Sequence, residues 1–184
     1  MKKLAAALLA LAVAVPAHAR KASGVEFPDS VDVGGQTLQL NGTGLRKKFV
    51  IKVYVAGLYV TQRSSDPDAI VKADAPKRVR MVFLRDVSKK QILEAYQDGF
   101  RANSGGPQLD ALLAKLQRIE PGLVDVKSGQ EMLVTYEPGK GTTVSATNGQ
   151  PATVEGKDFA DAMFRNWLGP KPADGDLKSG LLGK

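Results

Sequence analysis

Between Val31 and Val60 apolar and polar residues trade places with the period of two that marks half-buried strands. Val31-Asp32-Val33, then Gly34-Gly35, then Gln36-Thr37-Leu38-Gln39-Leu40 spell a hairpin, because a glycine pair accepts the positive φ angles of a tight turn. Leu38 and Leu40 point one way, Thr37 and Gln39 the other. Phe49-Val50-Ile51-Lys52-Val53-Tyr54-Val55 reads as a second strong strand. From Lys77 to Leu84, Val79, Met81 and Phe83 alternate with Arg78, Arg80 and Val82. The period then lengthens. Ser88 suits an N-cap, with Gln91 three residues on to complete a capping box, and Ile92, Tyr96 and Phe100 recur every fourth position. Asn103-Ser104-Gly105-Gly106 ends that helix. Pro107 opens another, with Leu109, Leu112, Leu113, Leu116 and Ile119 on one stripe, and Pro121-Gly122 stops it. Three short strands follow at 132–136, 142–146 and 152–154. A helix carrying Phe159, Met163 and Trp167 ends at Gly169-Pro170, and a short helix around Leu177 and Leu181 closes the chain. Strands and helices cluster rather than alternate, which predicts an α+β fold with a mostly antiparallel sheet.

The first 19 residues follow another rule. Lys2 and Lys3 precede an unbroken Ala, Leu and Val run from Leu4 to Val15, then Pro16 and the small-x-small site Ala17-His18-Ala19. This is the pattern of a secretory signal peptide, and its apolar run is too short to span a bilayer. The expectation is cleavage after Ala19, a single domain over residues 20–184, a periplasmic or secreted location, and no stable membrane insertion once the leader is gone. Cleavage would remove His18, the one histidine, with two of the 26 basic residues; 24 would face 19 acidic ones, and the formal charge of +7 would become +5. The chain has no cysteine, so burial alone must hold it together. Bases are dispersed among acids and aromatics make up only 6% of the chain, which argues against a nucleic-acid partner.

Without cysteine or a mature histidine, the usual nucleophile–base pairs are missing and zinc and copper lose their preferred ligands. No metal site and no cofactor are expected. Gly139-Lys140-Gly141-Thr142 lacks the upstream glycine of a phosphate-binding loop and reads as a hairpin turn; Asp174-Gly175-Asp176 reads as a helix cap. What remains is positive charge and hydroxyl groups. Arg46, in Gly42-Thr43-Gly44-Leu45-Arg46, and Tyr54, in Val53-Tyr54-Val55-Ala56-Gly57-Leu58-Tyr59, could hold an organic anion between a guanidinium fork and a neutral phenol. On a straight strand the two would share a face but stand about 26 Å apart, at roughly 3.3 Å per residue. They meet only if the chain folds back, and no Gly, Pro, Asn or Asp between Leu45 and Val55 marks that turn. The alternatives are a solvated edge at Arg46-Lys47-Lys48, where lysine deters further pairing, and simple strand packing for Tyr54. Tyr59 has the parity of a core residue. Tyr96 lies on an apolar helix stripe, where it either packs or lines a cleft between helix and sheet.

With these two motifs, Phe27-Pro28 and Gly35-Gln36-Thr37-Leu38 upstream, and the helix from Ser88, residues 25–183 resemble the chalcone isomerase superfamily, most of all its exported bacterial branch. The resemblance implies an open-faced β-sandwich, a large antiparallel sheet with helices packed on one side and a cleft between them. It implies that Arg46 matches the arginine of the isomerases' Gly-x-Gly-x-Arg motif. It also implies that Arg46 and Tyr54 match the pair that holds a fatty acid carboxylate in the fatty-acid-binding branch. The isomerases' catalytic tyrosine and asparagine fall near Ile92 and Gly99, where neither function is present. The expected function is therefore non-catalytic binding of a small apolar anion such as a fatty acid, with Arg46, Tyr54 and Tyr96 as ligand-binding residues and no catalytic residues. An intramolecular lyase and a cell-envelope interaction protein with a vestigial cleft are the alternatives.

Overall fold

The structure, a computed structural model, describes residues 19–184; the expected leader, save Ala19, lies outside the described residues. Two short strands, β1 (Ala19–Ala22) and β2 (Val25–Pro28), form a hairpin. Seven more follow: β3 (Ser30–Val33), β4 (Gln36–Lys48), β5 (Ile51–Val60), β6 (Lys77–Phe83), β7 (Glu131–Glu137), β8 (Gly141–Ala146) and β9 (Ala152–Val154). They join in chain order into one antiparallel sheet. Five helices accompany them: α1 (Pro67–Lys72), α2 (Lys89–Asn103), α3 (Gly106–Gln117), α4 (Lys157–Leu168) and α5 (Gly175–Leu181).

The period of two decides which side the helices take. Tyr54, Ala56 and Leu58 of β5, Val79, Met81 and Phe83 of β6, and Met132, Val134 and Tyr136 of β7 join one core with Phe100, Leu112, Phe159, Phe164 and Trp167 from the helices. The alternate residues Val55, Tyr59 and Val82 turn to the other face and pack with Leu38, Leu40 and Phe27 of the β1–β2 hairpin. The expected caps form. Ser88 and Gln91 make a reciprocal capping box on α2, and the Asp174 side chain accepts from the Leu177 N–H at the start of α5. Two features escape the pattern. α1 buries only Ile70 and Val71, and fewer than two turns show no period. β1 and β2 contribute one fully buried side chain, Phe27.

The straight-strand geometry does not arise. The chain reverses at Phe49-Val50, two residues expected to lie within a strand, so that Lys48 stands opposite Ile51 and Arg46 opposite Tyr54. Phe49 takes φ +57, in the first position of a two-residue turn where glycine is usual. The ladder on both sides, from Gln39–Val60 to Lys48–Ile51, imposes the turn against local preference, which is why no turn residue announces it.

Gly42 and Gly44 explain what sits beside Arg46. A Cβ on Gly44 would lie 2.6 Å from the Leu177 carbonyl oxygen, and one on Gly42 2.7 Å from that of Leu181. Only glycine lets α5 rest directly on the backbone of β4. Positions 42, 44 and 46 share a face, so Arg46 is the first full side chain beyond the helix. Lys47 N–H, on the same edge, donates to Asp174 Oδ2 at 2.9 Å.

Candidate functional site

A cavity of about 620 Å³ opens between the helix side of the sheet and α2, closed off by the end of α4 and residues 171–173. Its volume lies within the range of small-molecule sites. The inner wall is apolar and buried: Val53, Met81, Phe83, Ile92, Met132 and Trp167. On α2, Ala95 and Ala102 turn small side chains toward it, which leaves room that the larger residues of the stripe would fill.

Arg46, Tyr54 and Tyr96 all line this one cavity. The hairpin brings the first two together: the Arg46 guanidinium carbon stands 5.7 Å from the centre of the Tyr54 ring. Arg46 Nε is buried without a hydrogen-bond partner, and Arg46 makes no ion pair among the described residues. Tyr54 is buried, and its hydroxyl oxygen accepts from Trp167 Nε1 at 3.0 Å. Burial raises the Tyr54 pKa, with Arg46 and the Trp167 bond opposing in part. The group stays neutral, and its proton, not spent on any described residue, is available to an incoming acceptor. Tyr96 is also held neutral by burial. Its hydroxyl donates to Met132 Sδ at 3.4 Å and its ring meets the Trp167 edge at 6.2 Å, so Tyr96 both packs and lines the cleft.

Ile92 and Gly99 lie on α2 against the same cavity. A Cβ on Gly99 would overlap Asn166 Oδ1: a carboxamide from α4 occupies the space over the glycine. Asn166 is buried. Its amide nitrogen donates to the Met163 carbonyl at 2.8 Å and to that of Ala162 at 3.3 Å, while Oδ1 has no partner. The pattern reading missed Asn166. A signal existed, since it falls seven residues after Phe159 and three after Met163, a polar residue on the apolar stripe of α4.

The arrangement offers two unspent donors, one of them cationic, and one unspent acceptor at the edge of an apolar space. It has the means to orient an anion with an apolar body. Groups of three or more acidic or histidine side chains suited to a metal ion are absent among the described residues.

A family description for chalcone isomerase-like proteins matches residues 19–183. Among solved structures, the chain is similar to a fatty-acid binding protein of Arabidopsis thaliana, with a TM-score of 0.69, 16% identity, and coverage of 90% of this chain and 96% of that one. At that identity the likeness speaks to the fold. Comparison with curated proteins finds no match.

Proposed function

The chain belongs to the chalcone isomerase-like family, and from that premise we propose that it binds a fatty acid or a similar apolar carboxylate without transforming it. One observation carries the reading. Arg46 Nε and the Tyr54 proton are both without acceptors beside an apolar cavity, and buried donors without partners are costly unless something accepts from them. A carboxylate would take both, and its chain would lie along Phe83, Ile92, Met132 and Trp167. The Arabidopsis fold relative, named for fatty-acid binding, supports the same reading. The leader pattern of residues 1–19 places this role in the periplasm or outside the cell as part of the same proposal.

The test begins with protein isolated without detergent from the periplasmic fraction, whose intact mass should start at Arg20. Mass spectrometry of the organic extract should find a long-chain carboxylic acid. Charge-assisted hydrogen bonds are worth about 1.5–3 kcal/mol, so Arg46→Ala should weaken fatty-acid binding about tenfold or more. Tyr54→Phe, which loses only a neutral donor, should cost less. Unchanged affinity in Arg46→Ala, with its circular dichroism intact, would sink the anion site.

A further inference from the structure

The large apolar side chains exposed among the described residues are three, and they are consecutive: Phe49 at 90%, Val50 at 92% and Ile51 at 46% exposure. They form the tip of the β4–β5 hairpin. Lys47, Lys48 and Lys52 flank them, all exposed, and none is in an ion pair among the described residues. Two features of this tip work against the folded state. Phe49 holds φ +57, a conformation that suits Gly or Asn and not an aromatic residue. Lys47 stands directly opposite Lys52, a like-charge cross-strand pair. Nothing inside the molecule compensates, because Phe49 and Val50 touch solvent. The tip also borders the cavity: Lys48, Phe49 and Ile51 line it together with Arg85 and Lys171. The acidic side chains on that rim are matched, Asp86 with Lys127, Glu94 with Lys90 and Asp98 with Arg101, so the rim's unmatched charge is positive.

We propose that the β4–β5 hairpin tip docks on an anionic lipid bilayer, with Phe49, Val50 and Ile51 entering the acyl boundary and Lys47, Lys48 and Lys52 lying on the headgroups. This rests on the proposed binding function and adds the place where the ligand is exchanged, since the docked tip sets the cavity mouth against the membrane. Apolar residues ringed by lysine are the composition of interfacial anchors. A fluid bilayer accepts a narrow convex tip, whereas a stable protein partner needs about 800 Å² of complementary surface on each side. Three apolar residues at a hairpin tip are far too few to span a bilayer, so the contact is peripheral and reversible.

Co-sedimentation with vesicles, in the absence of any fatty acid, tests this. The chain should pellet with vesicles of equal parts phosphatidylcholine and phosphatidylglycerol, much less with pure phosphatidylcholine, and less again as salt screens the lysines. Val50→Asp, and separately Lys47→Glu with Lys52→Glu, should each lower partitioning roughly tenfold. None of these three positions lines the cavity, so Val50→Asp, which leaves the lysines beside Arg46 in place, should not change fatty-acid affinity in vesicle-free buffer. That affinity is measured without lipid surfaces and vesicle binding without ligand, so failure of one reading leaves the other legible. Absence of binding to the anionic vesicles overturns the proposal. So does binding that the hairpin substitutions leave unchanged, as any retained N-terminal apolar run would produce. Concentration-dependent self-association lost in Val50→Asp, without vesicle binding, also overturns it and makes the tip an interface between copies of the chain.

Discussion

Asn166 holds its amide hydrogens toward two carbonyls of its own helix, those of Met163 and Ala162, and leaves only Oδ1 free. It therefore fills the space over Gly99 without replacing the donor that an asparagine on α2 could aim at a substrate ketone. Tyr96 commits its proton to Met132, and Ile92 has none to give. Arg46 and Tyr54 remain, enough to hold an anion and too few to hold a phenolate, polarise a ketone and relay a proton together. Preorganised donors are commonly worth on the order of 10²–10³ in rate each. With two such positions empty of donors, chalcone cyclisation should proceed at background. Flavanone formation, followed with chiral separation of the product, checks this; enantioselective turnover that vanishes in Arg46→Ala would refute it.

At the scale of elements, the Gly-x-Gly ahead of Arg46 is a packing device. Gly180 returns the favour from α5, where a Cβ would lie 2.9 Å from Gly44 Cα, so strand and helix meet backbone to backbone. Nearby, Asn41 ties the same junction, donating to the carbonyls of Ser64 at 2.9 Å and Leu181 at 2.8 Å and accepting from Ser64 N–H at 2.8 Å. Asn41-Gly42-Thr43 has the form of a glycosylation acceptor, but the Asn41 carboxamide is spent on these three bonds. Gly44→Ala would force α5 off the strand. Overpacking of this kind costs about 1–3 kcal/mol, or a fall of roughly 2–4 °C in Tm for each kcal/mol in a chain of this size. Because the shift passes along the face to Arg46, fatty-acid affinity should fall as well. A thermal melt unchanged in Gly44→Ala would show that α5 does not rest on the strand as described.

For the molecule as a whole, the most consequential buried charge lies away from the cavity. Lys77 is 2% exposed, and its Nζ donates to the carbonyls of Ile70 at 2.8 Å, Val71 at 2.9 Å and Ala73 at 2.7 Å. It ties the end of α1 to the sheet and stands over the rings of Tyr136 and Phe164. Burial, reinforced by Lys157, pushes its pKa from an ordinary 10.5 down to about 8. Below pH 8 the amine is charged in both folded and unfolded chains. Between pH 8 and 10 the unfolded chain holds more proton, so raising the pH favours the folded state. Above 10.0 the four tyrosines, Tyr54, Tyr59, Tyr96 and Tyr136, all raised by burial, reverse the sign. Tm should therefore rise from pH 8 toward 10 in the native chain relative to Lys77→Met; parallel profiles would remove Lys77 as the cause.

Patterning alone determined the faces of the main sheet strands, the caps of α2 and α5 and the residue types able to bind an anion, because alternation and capping are local properties that side-chain chemistry states directly. Arg46, Tyr54 and Tyr96 were legible as candidates for that reason. Their meeting was not. The turn at Phe49-Val50 follows from the pairing of β4 with β5, a sum over many cross-strand contacts that overrides the preference of two residues. Asn166 reaches the space over Gly99 only because α4 packs on α2, and Gly42 and Gly44 acquire their purpose only when α5 returns to the strand from the far end of the chain. Such long-range packing decided which donors are left unspent, and with them what the cavity is able to hold.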